Sequence, residues 1–554
     1  MHKELKDNLF FSAIFCLTAL WQMLLPGYIL TIDMVFTPKL GVFFNDGSFS
    51  SDLPIKYLFE FLNIFLPGWV IQKIMLVALF FCLFYLAAKF LPVSRKYHAN
   101  YWAVLFYALN PFVYERFLAG HWIHLFAYAF LPPFIYYLFK FAKSPGWQNS
   151  AWLFGWIFLI GLFSLHFLVM AILVLTVYLP YQALKNLIIK NKKQTKDILK
   201  FTLIFGIIFI IINSYWLIPY LFNSQKSIIN NFNSAHYQAF QTATDQKIGT
   251  FFNVLALYGY WGENQPWANY WLWPKDNLIF WLIIFAFLFM LIGLGIIYGF
   301  INKQHRNQAL FFLLLALFAF IFSCGVGNTI FKPINQWLFE NIFFWRGFRD
   351  SQKWSGLLAL SYTYFGSLGI FAIMNWLKNS KLKQIALAII FLIPVLYTYP
   401  MLGGFARQLQ PVWYPPSWQK VNQILNQDKS DFKVLFLPWH EYLSFNYNHN
   451  LIIANPAKLF FDKQIIQSEN MEIGSVFSQS NSLNNEQINN LIVNEGRGAK
   501  NQVEKNFKKQ GIKYIIWAQD LKKQDIFKYF FLDSAKIKKI YDSNEIVLYE
   551  LLDF

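Results

Sequence analysis

The feature that most constrains this chain is a series of long apolar segments separated by polar stretches. A helix needs about 20 apolar residues to cross the hydrocarbon core of a bilayer. About eleven segments approach this length, so we expect a polytopic α-helical membrane protein. The predicted spans are residues 9–25, 69–91, 101–114, 122–139, 151–163, 166–184, 201–222, 278–300, 309–324, 354–376 and 385–402.

Charged residues divide the chain into two parts. Of the 76 Asp, Glu, Lys and Arg residues, 34 lie within residues 404–554. Because a soluble domain carries far more charge than a lipid-facing one, we predict a transmembrane domain over residues 1–403 and a soluble domain over residues 404–554. The Pro-rich stretch at residues 410–418 is a candidate linker.

The soluble part is expected to have an α/β fold. Apolar runs rich in β-branched and aromatic residues predict strands at residues 433–438, 513–518 and 545–551. Helices are predicted at residues 417–427, 484–495, 500–510 and 522–532.

The distribution of Lys and Arg predicts the orientation. Six short segments on one side of the predicted spans carry 17 of these residues, whereas the longer loops on the other side, up to residue 353, carry 10. Positive residues favour the cytoplasmic side, so the N-terminus is expected inside and the soluble domain outside a prokaryotic plasma membrane. The first span lacks a clear small-residue cleavage site and is expected to be a retained signal anchor.

Composition and motifs exclude several classes of function. The net charge of +18 arises in loops between apolar segments, while the soluble part has 18 basic and 16 acidic residues, so nucleic-acid binding is not expected. All three cysteines lie in apolar runs, which argues against a disulfide framework. The sequence contains no P-loop, Rossmann fingerprint, Gly-x-Ser-x-Gly elbow or His-Glu-x-x-His motif.

The first long loop on the predicted outer face, residues 26–68, contains three aspartates. Asp33 is nearest to the first span and lies in an apolar run, where a carboxylate could act as a base or bind a metal. The alternative is a solvated loop acid or a helix cap. Asp46 lies in a turn sequence, Asn-Asp-Gly, and Asp52 precedes a short helix that it could cap.

A second group of ionisable residues lies at residues 110–133, NPFVYERFLAGHWIHLFAYAFLPP. It contains Glu115, Arg116, His121 and His124. Ionisable groups at membrane depth are costly, so they mark either a function or an internal ion pair, and the sequence leaves both open. The His-x-x-His spacing would suit a metal, but a third ligand is not evident nearby.

A third group lies in FFWRGFRDSQKW, residues 343–354, just before a predicted span. Arg346, Arg349 and Lys353 accompany Asp350 there. Cations at a helix N-terminus oppose the helix dipole, so helix stability does not explain them, whereas Arg and Lys suit a phosphate ligand. The alternative is an interfacial anchor whose basic residues contact lipid head groups.

Three of these motifs, in this order, resemble the GT-C superfamily of integral-membrane glycosyltransferases. They are an aspartate early in the first outer loop (Asp33), NPF, GHW and LPP within residues 110–133, and FRDSQKW at residues 348–354. Within the superfamily the chain is similar to bacterial YfhO-like proteins and to AftD-type arabinofuranosyltransferases. The strand VLFLP followed by GIKYIIWAQD also resembles the C-terminal part of such proteins.

The resemblance implies an inverting transfer of a sugar from a polyprenyl-phosphate donor to an envelope acceptor on the outer face. It implies Asp33 as the catalytic base, although Met34 stands where many relatives have a second acid. The donor phosphate would be bound by Arg346, Arg349 and Lys353. The acceptor region or its surroundings would include Glu115, Arg116, His121, His124 and Asp350.

Two other classes of function remain open from the sequence. A lipid-linked glycan transporter or flippase is one, and a non-catalytic membrane assembly protein is the other. No internal repeat of the kind found in transporters is visible. Participation of a divalent metal is left open. In the soluble domain Trp413, Trp418 and Trp439 are candidates for glycan binding, whereas Trp517 lies in an apolar strand and is expected in the core.

Overall fold

In a computed structural model of the protein, the described residues are 2–40, 50–222, 232–473, 476–478, 488–490, 500–522 and 535–552, with the single positions 229, 492 and 532. Most of them are helical, and a mixed sheet forms near the C-terminus. The chain divides into two compact units. The first comprises residues 1–22, 42–58 and 74–408, and the second comprises residues 23–41, 59–73 and 409–554.

The helices described up to residue 408 are numbered here in chain order. They are α1 (His2–Leu20), α2 (Leu53–Asn63), α3 (Gly68–Phe90), α4 (Ala99–Ala108), α5 (Pro111–Leu118), α6 (Trp122–Ala129), α7 (Leu131–Lys143), α8 (Trp147–Phe163), α9 (Leu165–Ile188), α10 (Lys192–Ile212), α11 (Ser214–Phe222), α12 (Ser234–Ala239), α13 (Gly249–Leu255), α14 (Leu272–Asp276), α15 (Leu278–Ile301), α16 (Arg306–Cys324), α17 (Lys332–Asn341), α18 (Ser355–Trp376) and α19 (Ser380–Tyr397).

The multi-pass membrane architecture predicted from the sequence is confirmed. Among the described residues, seven helices or helix pairs are long and apolar enough to span a membrane. An eighth span is obtained if α10 and α11, which meet at an angle of 74°, are counted as one. The other three of the eleven predicted segments are not among these eight spans. They correspond to α1, which begins with several charged residues, to the pair α4 and α5, and to α8, which has 17 residues.

The predicted span at residues 101–114 is two short helices, α4 and α5, because the chain breaks at Asn110 and Pro111. The side chain of Asn110 caps α5 by accepting a hydrogen bond from the backbone N–H of Val113 at 3.2 Å. Proline at the first helical position begins α5 and cannot continue α4. The break places the polar end of α5 among buried side chains.

Helix α18 is the core of the first unit, since nearly every residue from Ser355 to Phe371 is buried. It packs against α15, α16 and α4. Glycines allow the closest approach: a Cβ atom at Gly295 would collide with the carbonyl oxygen of Phe365, and one at Gly369 with that of Leu291. Small residues at helix interfaces are typical of membrane proteins, where van der Waals packing stabilises association.

The second unit contains a five-stranded sheet in the order β4-β1-β7-β9-β8. Strands β1, β4 and β7 are parallel, while β9 is antiparallel to β7 and β8. The strands are β1 (Lys433–Leu437), β2 (Tyr442–Ser444), β3 (Ile452–Ala454), β4 (Gln464–Ile466), β5 (Met471–Ile473), β6 (Val476–Ser478), β7 (Ile512–Ala518), β8 (Ile537–Asp542) and β9 (Ile546–Leu551), and the helices are α20 (Pro416–Gln427), α21 (Ala457–Phe460) and α22 (Lys500–Lys509).

The α/β prediction for the C-terminal part is confirmed. All three predicted strands exist, as β1, β7 and β9, because their apolar residues form the buried layer of the sheet. The predicted helices at residues 417–427 and 500–510 correspond to α20 and α22. Those at residues 484–495 and 522–532 lie largely outside the described residues.

The second unit also includes part of the first predicted outer loop. Tyr28 and Val412 exchange two backbone hydrogen bonds of 2.7 and 2.9 Å. Ile32 forms a parallel bridge with Ile453 in β3. The stretch at residues 410–418, predicted as a linker, is therefore paired with the N-terminal segment of its own unit.

Candidate functional site

A cluster of buried ionisable residues forms in the first unit where α5 and the segment before α18 meet. Two short 3₁₀ segments, Phe343–Arg349 and Ser351–Trp354, lead into α18 and carry basic side chains of the cluster, and Asp350 lies between them. The short length of α5 places Glu115 and Arg116 in its last turns, and both are completely buried. Residues predicted separately in two motifs are thus brought together.

Arg116 and Asp350 form a bidentate ion pair at the centre of the cluster. Nη2 of Arg116 donates to Oδ1 of Asp350 at 2.9 Å, and Nη1 donates to Oδ2. Nε of Arg116 donates to Oε1 of Gln352 at 2.9 Å, and Nη1 lies 3.1 Å from Nδ1 of His121. The guanidinium also lies 4.8 Å from the ring centroid of Tyr260. Arg116 is therefore fixed in one orientation, as expected for a buried charge.

Lys353 and His166 extend the cluster on the other side of Asp350. The ammonium of Lys353 lies 3.9 Å from Oδ2 of Asp350 and 3.1 Å from Nε2 of His166. The same ring nitrogen lies 2.9 Å from the carbonyl oxygen of Gly347. One carboxylate thus lies near two cations, so this part of the cluster carries a net positive charge.

Glu115 belongs to a second, acidic part of the cluster. Its Oε2 accepts a hydrogen bond from Nε2 of Gln352 at 3.1 Å and one from the backbone N–H of Tyr260 at 3.4 Å. Glu263 lies beside it and accepts hydrogen bonds from Asn253 and Trp271, both at 2.9 Å. Gln352 links the two parts, since its amide contacts both Glu115 and Arg116.

The electrostatics of Asp350 are set by its cationic partner. Burial opposes ionisation of Asp350, but the positive charge and hydrogen bonds of Arg116 outweigh it and lower the pKa of Asp350. Asp350 is therefore held as a carboxylate.

The remaining predicted residues of the two motifs have different surroundings. His124 is buried with Nδ1 2.8 Å from the hydroxyl of Ser164, which caps α9. The guanidinium of Arg349 lies between the rings of Phe232 and Phe240, at 3.8 and 4.1 Å from their centroids. Arg346 donates from Nη2 to the carbonyl oxygen of Glu340 at 3.5 Å.

Asp33 belongs to the second unit. It lies in a tight turn in which the backbone N–H of Met34 donates to the carbonyl oxygen of Thr31 at 2.7 Å. The side chain is exposed, and its Oδ1 accepts a hydrogen bond from the hydroxyl of Tyr442 in β2 at 2.7 Å. Pairing of the neighbouring Ile32 with β3 fixes the turn on the same hairpin.

The other two loop acids differ from Asp33. Asp52 pairs with Lys56 at 3.3 Å and its carbonyl oxygen accepts from the first turn of α2, so it has the contacts of a helix cap. Asp46 lies outside the described residues. In the part of the chain that the structure describes, no group of three or more His, Cys, Asp and Glu side chains is arranged to hold a metal ion.

The tryptophans predicted to bind glycan have unequal exposure. Trp418 and Trp439 are buried, and the indole N–H of Trp439 donates to Asn489 at 3.1 Å. Trp413 has 54% of its surface exposed. Trp517 packs against the core of the sheet, as expected from its strand.

The polar residues of these sites that the sequence did not single out include Gln352, Glu263 and Tyr442. Gln352 lies within the FRDSQKW motif, but only its contacts with Glu115 and Arg116 reveal its linking position. Glu263 lies in an aromatic loop, and Tyr442 lies in a strand of three residues, too short to predict. Their partners are distant in the chain, so no local pattern could have identified them.

The fold is similar to that of solved glycosyltransferase structures. Arabinofuranosyltransferase AftD from Mycobacteria aligns with a TM-score of 0.63 and 12% sequence identity, over 100% of this chain and 40% of that chain. A structure of a mutant form of that enzyme aligns with a TM-score of 0.57 and 11% identity, over 100% of this chain and 42% of that one. This chain thus spans less than half the length of the proteins it resembles.

At this identity the similarity shows the fold alone. No protein-family model matches the sequence, and no curated protein matches it significantly.

Proposed function

We propose that this membrane protein is a glycosyltransferase that transfers a sugar from a polyprenyl-phosphate donor to a glycan, lipid or protein of the cell envelope. Transfer would occur on the extracytoplasmic face, with the N-terminus in the cytoplasm and residues 404–554 as an extracytoplasmic domain. The similarity of fold to an arabinofuranosyltransferase supports this class of reaction and makes a pentofuranose a reasonable first donor sugar to test.

The observation that carries the proposal is the buried cluster around Arg116 and Asp350. Removing several charges from water costs free energy, and folding alone does not require it. Buried ionisable groups in membrane proteins therefore usually have a function. Here Asp350 lies close to both Arg116 and Lys353, and Lys353 lies beside His166. A group of preorganised cations can stabilise the charge that develops on a departing phosphate.

Asp33 is the proposed catalytic base. Its carboxylate would take the proton of an acceptor hydroxyl while that oxygen attacks the anomeric carbon and the polyprenyl phosphate departs with the bonding electrons. The configuration at the anomeric carbon would invert. The hydrogen bond from Tyr442 orients the carboxylate and supports the assignment.

The cations of the third motif are proposed to bind the donor phosphate, namely Arg346, Arg349 and Lys353. The residues proposed to line the acceptor region or to hold the phosphate-binding residues in place are Glu115, Arg116, His121, His124 and Asp350.

The first experiment compares envelope glycans and polyprenyl-linked sugars by mass spectrometry in wild-type cells and a deletion strain. The deletion is complemented with the wild-type gene, Asp33→Asn or Asp52→Asn at equal expression. Asp52 is the matched control, since it lies in the same loop and Asn caps a helix as well as Asp does. We expect the deletion to lose a glycan and accumulate its lipid-linked donor.

Asp33→Asn should fail to restore the glycan, because a positioned base contributes about 10²–10⁴-fold to the rate. Asp52→Asn should restore it fully. Full restoration by Asp33→Asn would show that Asp33 is not the base. Accumulation of the donor on the cytoplasmic face alone would favour a flippase over a transferase.

A further inference from the structure

Helix α17 connects two membrane-spanning helices, α16 and α18, and has three different faces. The first face is fixed to the protein. The side-chain amide of Asn335 donates to the carbonyl oxygen of Ile321 in α16 at 3.1 Å. The ring of Phe339, one turn later, stacks on Tyr237 with centroids 4.3 Å apart. Helix α17 is therefore held against the last turns of a membrane span.

The second face is a polar stripe formed by Lys332, Gln336 and Glu340, which are spaced four residues apart. Gln336 donates from Nε2 to Oε1 of Glu340 at 2.9 Å, and the hydroxyl of Ser234 lies 3.4 Å from the same oxygen. Lys332 and Glu340 are exposed. This stripe has the composition of a face in contact with water.

The third face is an apolar stripe. Ile334 and Trp337 have 48% and 57% of their surfaces exposed, and Ile330, in the turn before the helix, has 70%. At about 100° per residue, the centre of this stripe lies about 130° from that of the polar stripe. Phe343 and Phe344, just after the helix, continue the exposed apolar surface.

We propose that α17 lies in the membrane–water interface, with Ile330, Ile334 and Trp337 inserted among lipid chains and the polar stripe in water. The occupant of the apolar stripe is lipid because α17 is bonded to the last turn of α16, an apolar helix long enough to span a membrane whose exposed side chains include Leu314, Leu317 and Phe318. A helix in such a position usually buries its apolar side about 5–10 Å into the boundary between head groups and acyl chains. Tryptophan favours this depth.

The position of α17 has a consequence for the segment that follows it. Arg346 is bonded to the backbone of α17 through the carbonyl oxygen of Glu340. Insertion of the helix would therefore hold Arg346 at the level of the lipid head groups. This inference does not depend on the proposed transferase activity.

The test is a depth measurement by electron paramagnetic resonance on the full-length protein in nanodiscs of phosphatidylcholine and phosphatidylglycerol. A nitroxide is attached to single cysteines at Ile330, Ile334 and Trp337, with Lys332 and Glu340 as controls on the polar stripe. Unsubstituted protein carried through the same labelling gives the background from the native cysteines. We expect the apolar positions to be several-fold more accessible to oxygen, relative to a water-soluble nickel complex, than the controls.

Equal accessibility ratios on the two stripes, or a higher nickel accessibility on the apolar stripe, would overturn the proposal. The three apolar positions are judged separately, so a poorly folded variant at one leaves two others. Failure of all three to fold would show that the stripe packs against protein, which would also overturn it.

Discussion

Removing the carboxylate of Asp350 is expected to lower the free energy of unfolding of the protein by about 3–5 kcal/mol, because Arg116 would be left as a buried, unpaired charge. Arg116 has no exposed surface and Asp350 has 4%. The remaining acceptors, Gln352 and His121, are neutral or weakly basic and cannot replace a negative charge. At about 1.4 kcal/mol per tenfold, the folding equilibrium should shift by roughly two to four orders of magnitude.

A double-mutant cycle separates the unpaired charge from the loss of the pair itself. The variants are Asp350→Leu, Arg116→Met and the double variant. Each single change leaves one buried charge, whereas the double change removes both and keeps an apolar side chain at each position. The double variant should therefore be about as stable as the better single variant or more stable, and the two effects should be far from additive.

Stability is measured as the free energy of unfolding in a titration with sodium dodecyl sulfate, followed by circular dichroism. Lys56→Met is the matched control in the same unit, because Lys56 and Asp52 form an exposed ion pair. The control should change stability by no more than about 1 kcal/mol. Losses below that value for both single variants, or a double variant that loses the sum of the two, would refute the reasoning.

Two further predictions concern separate features of the molecule. Tyr442→Phe should lower kcat of sugar transfer by about 10–100-fold with little change in KM, since a hydrogen bond to a charged group contributes about 1.5–3 kcal/mol. Tyr447→Phe is the control and should leave kcat unchanged, because the buried hydroxyl of Tyr447 has no hydrogen-bond partner among the described residues. An unchanged rate in Tyr442→Phe, with Asp33→Asn inactive, would contradict a positioning role for Tyr442. Gly369→Ala should lower the free energy of unfolding by about 1–3 kcal/mol, because the new Cβ would collide with α15. Gly293 has open space around it, so Gly293→Ala should leave stability unchanged or raise it in a thermal-unfolding assay. Equal effects of the two substitutions would show that close packing at Gly369 does not determine stability.

Local patterns in the sequence predict the elements but not the sites. Apolar length identifies the spans, and the apolar runs that become β1, β7 and β9 are long enough to predict. The break at Asn110 and Pro111 follows known capping rules, yet the apolar run across it looks like one span. The residue types of the candidate site could be predicted because charged residues in apolar surroundings are visible in the sequence.

Partners within the sites could not be predicted because they are far apart in the chain. Arg116 and Asp350 are 234 residues apart, and Asp33 and Tyr442 are 409 residues apart. Neither hydrophobic periodicity nor charge spacing carries information over such distances. The inclusion of residues 23–41 in the second unit could not be predicted from the sequence for the same reason.

Residues 23–41 and 409–554 belong to the same compact unit, so the first of these segments cannot complete its contacts until the second has been synthesised. The backbone N–H of Ala454 donates to the carbonyl oxygen of Ile32, 422 residues earlier. At about 5–20 residues per second, the ribosome needs roughly 20–80 s to reach Ala454 after making Ile32. Throughout that time the turn that carries Asp33 has emerged without the strands that fix it. The turn that carries the proposed base therefore reaches its final geometry only after β3 has been synthesised.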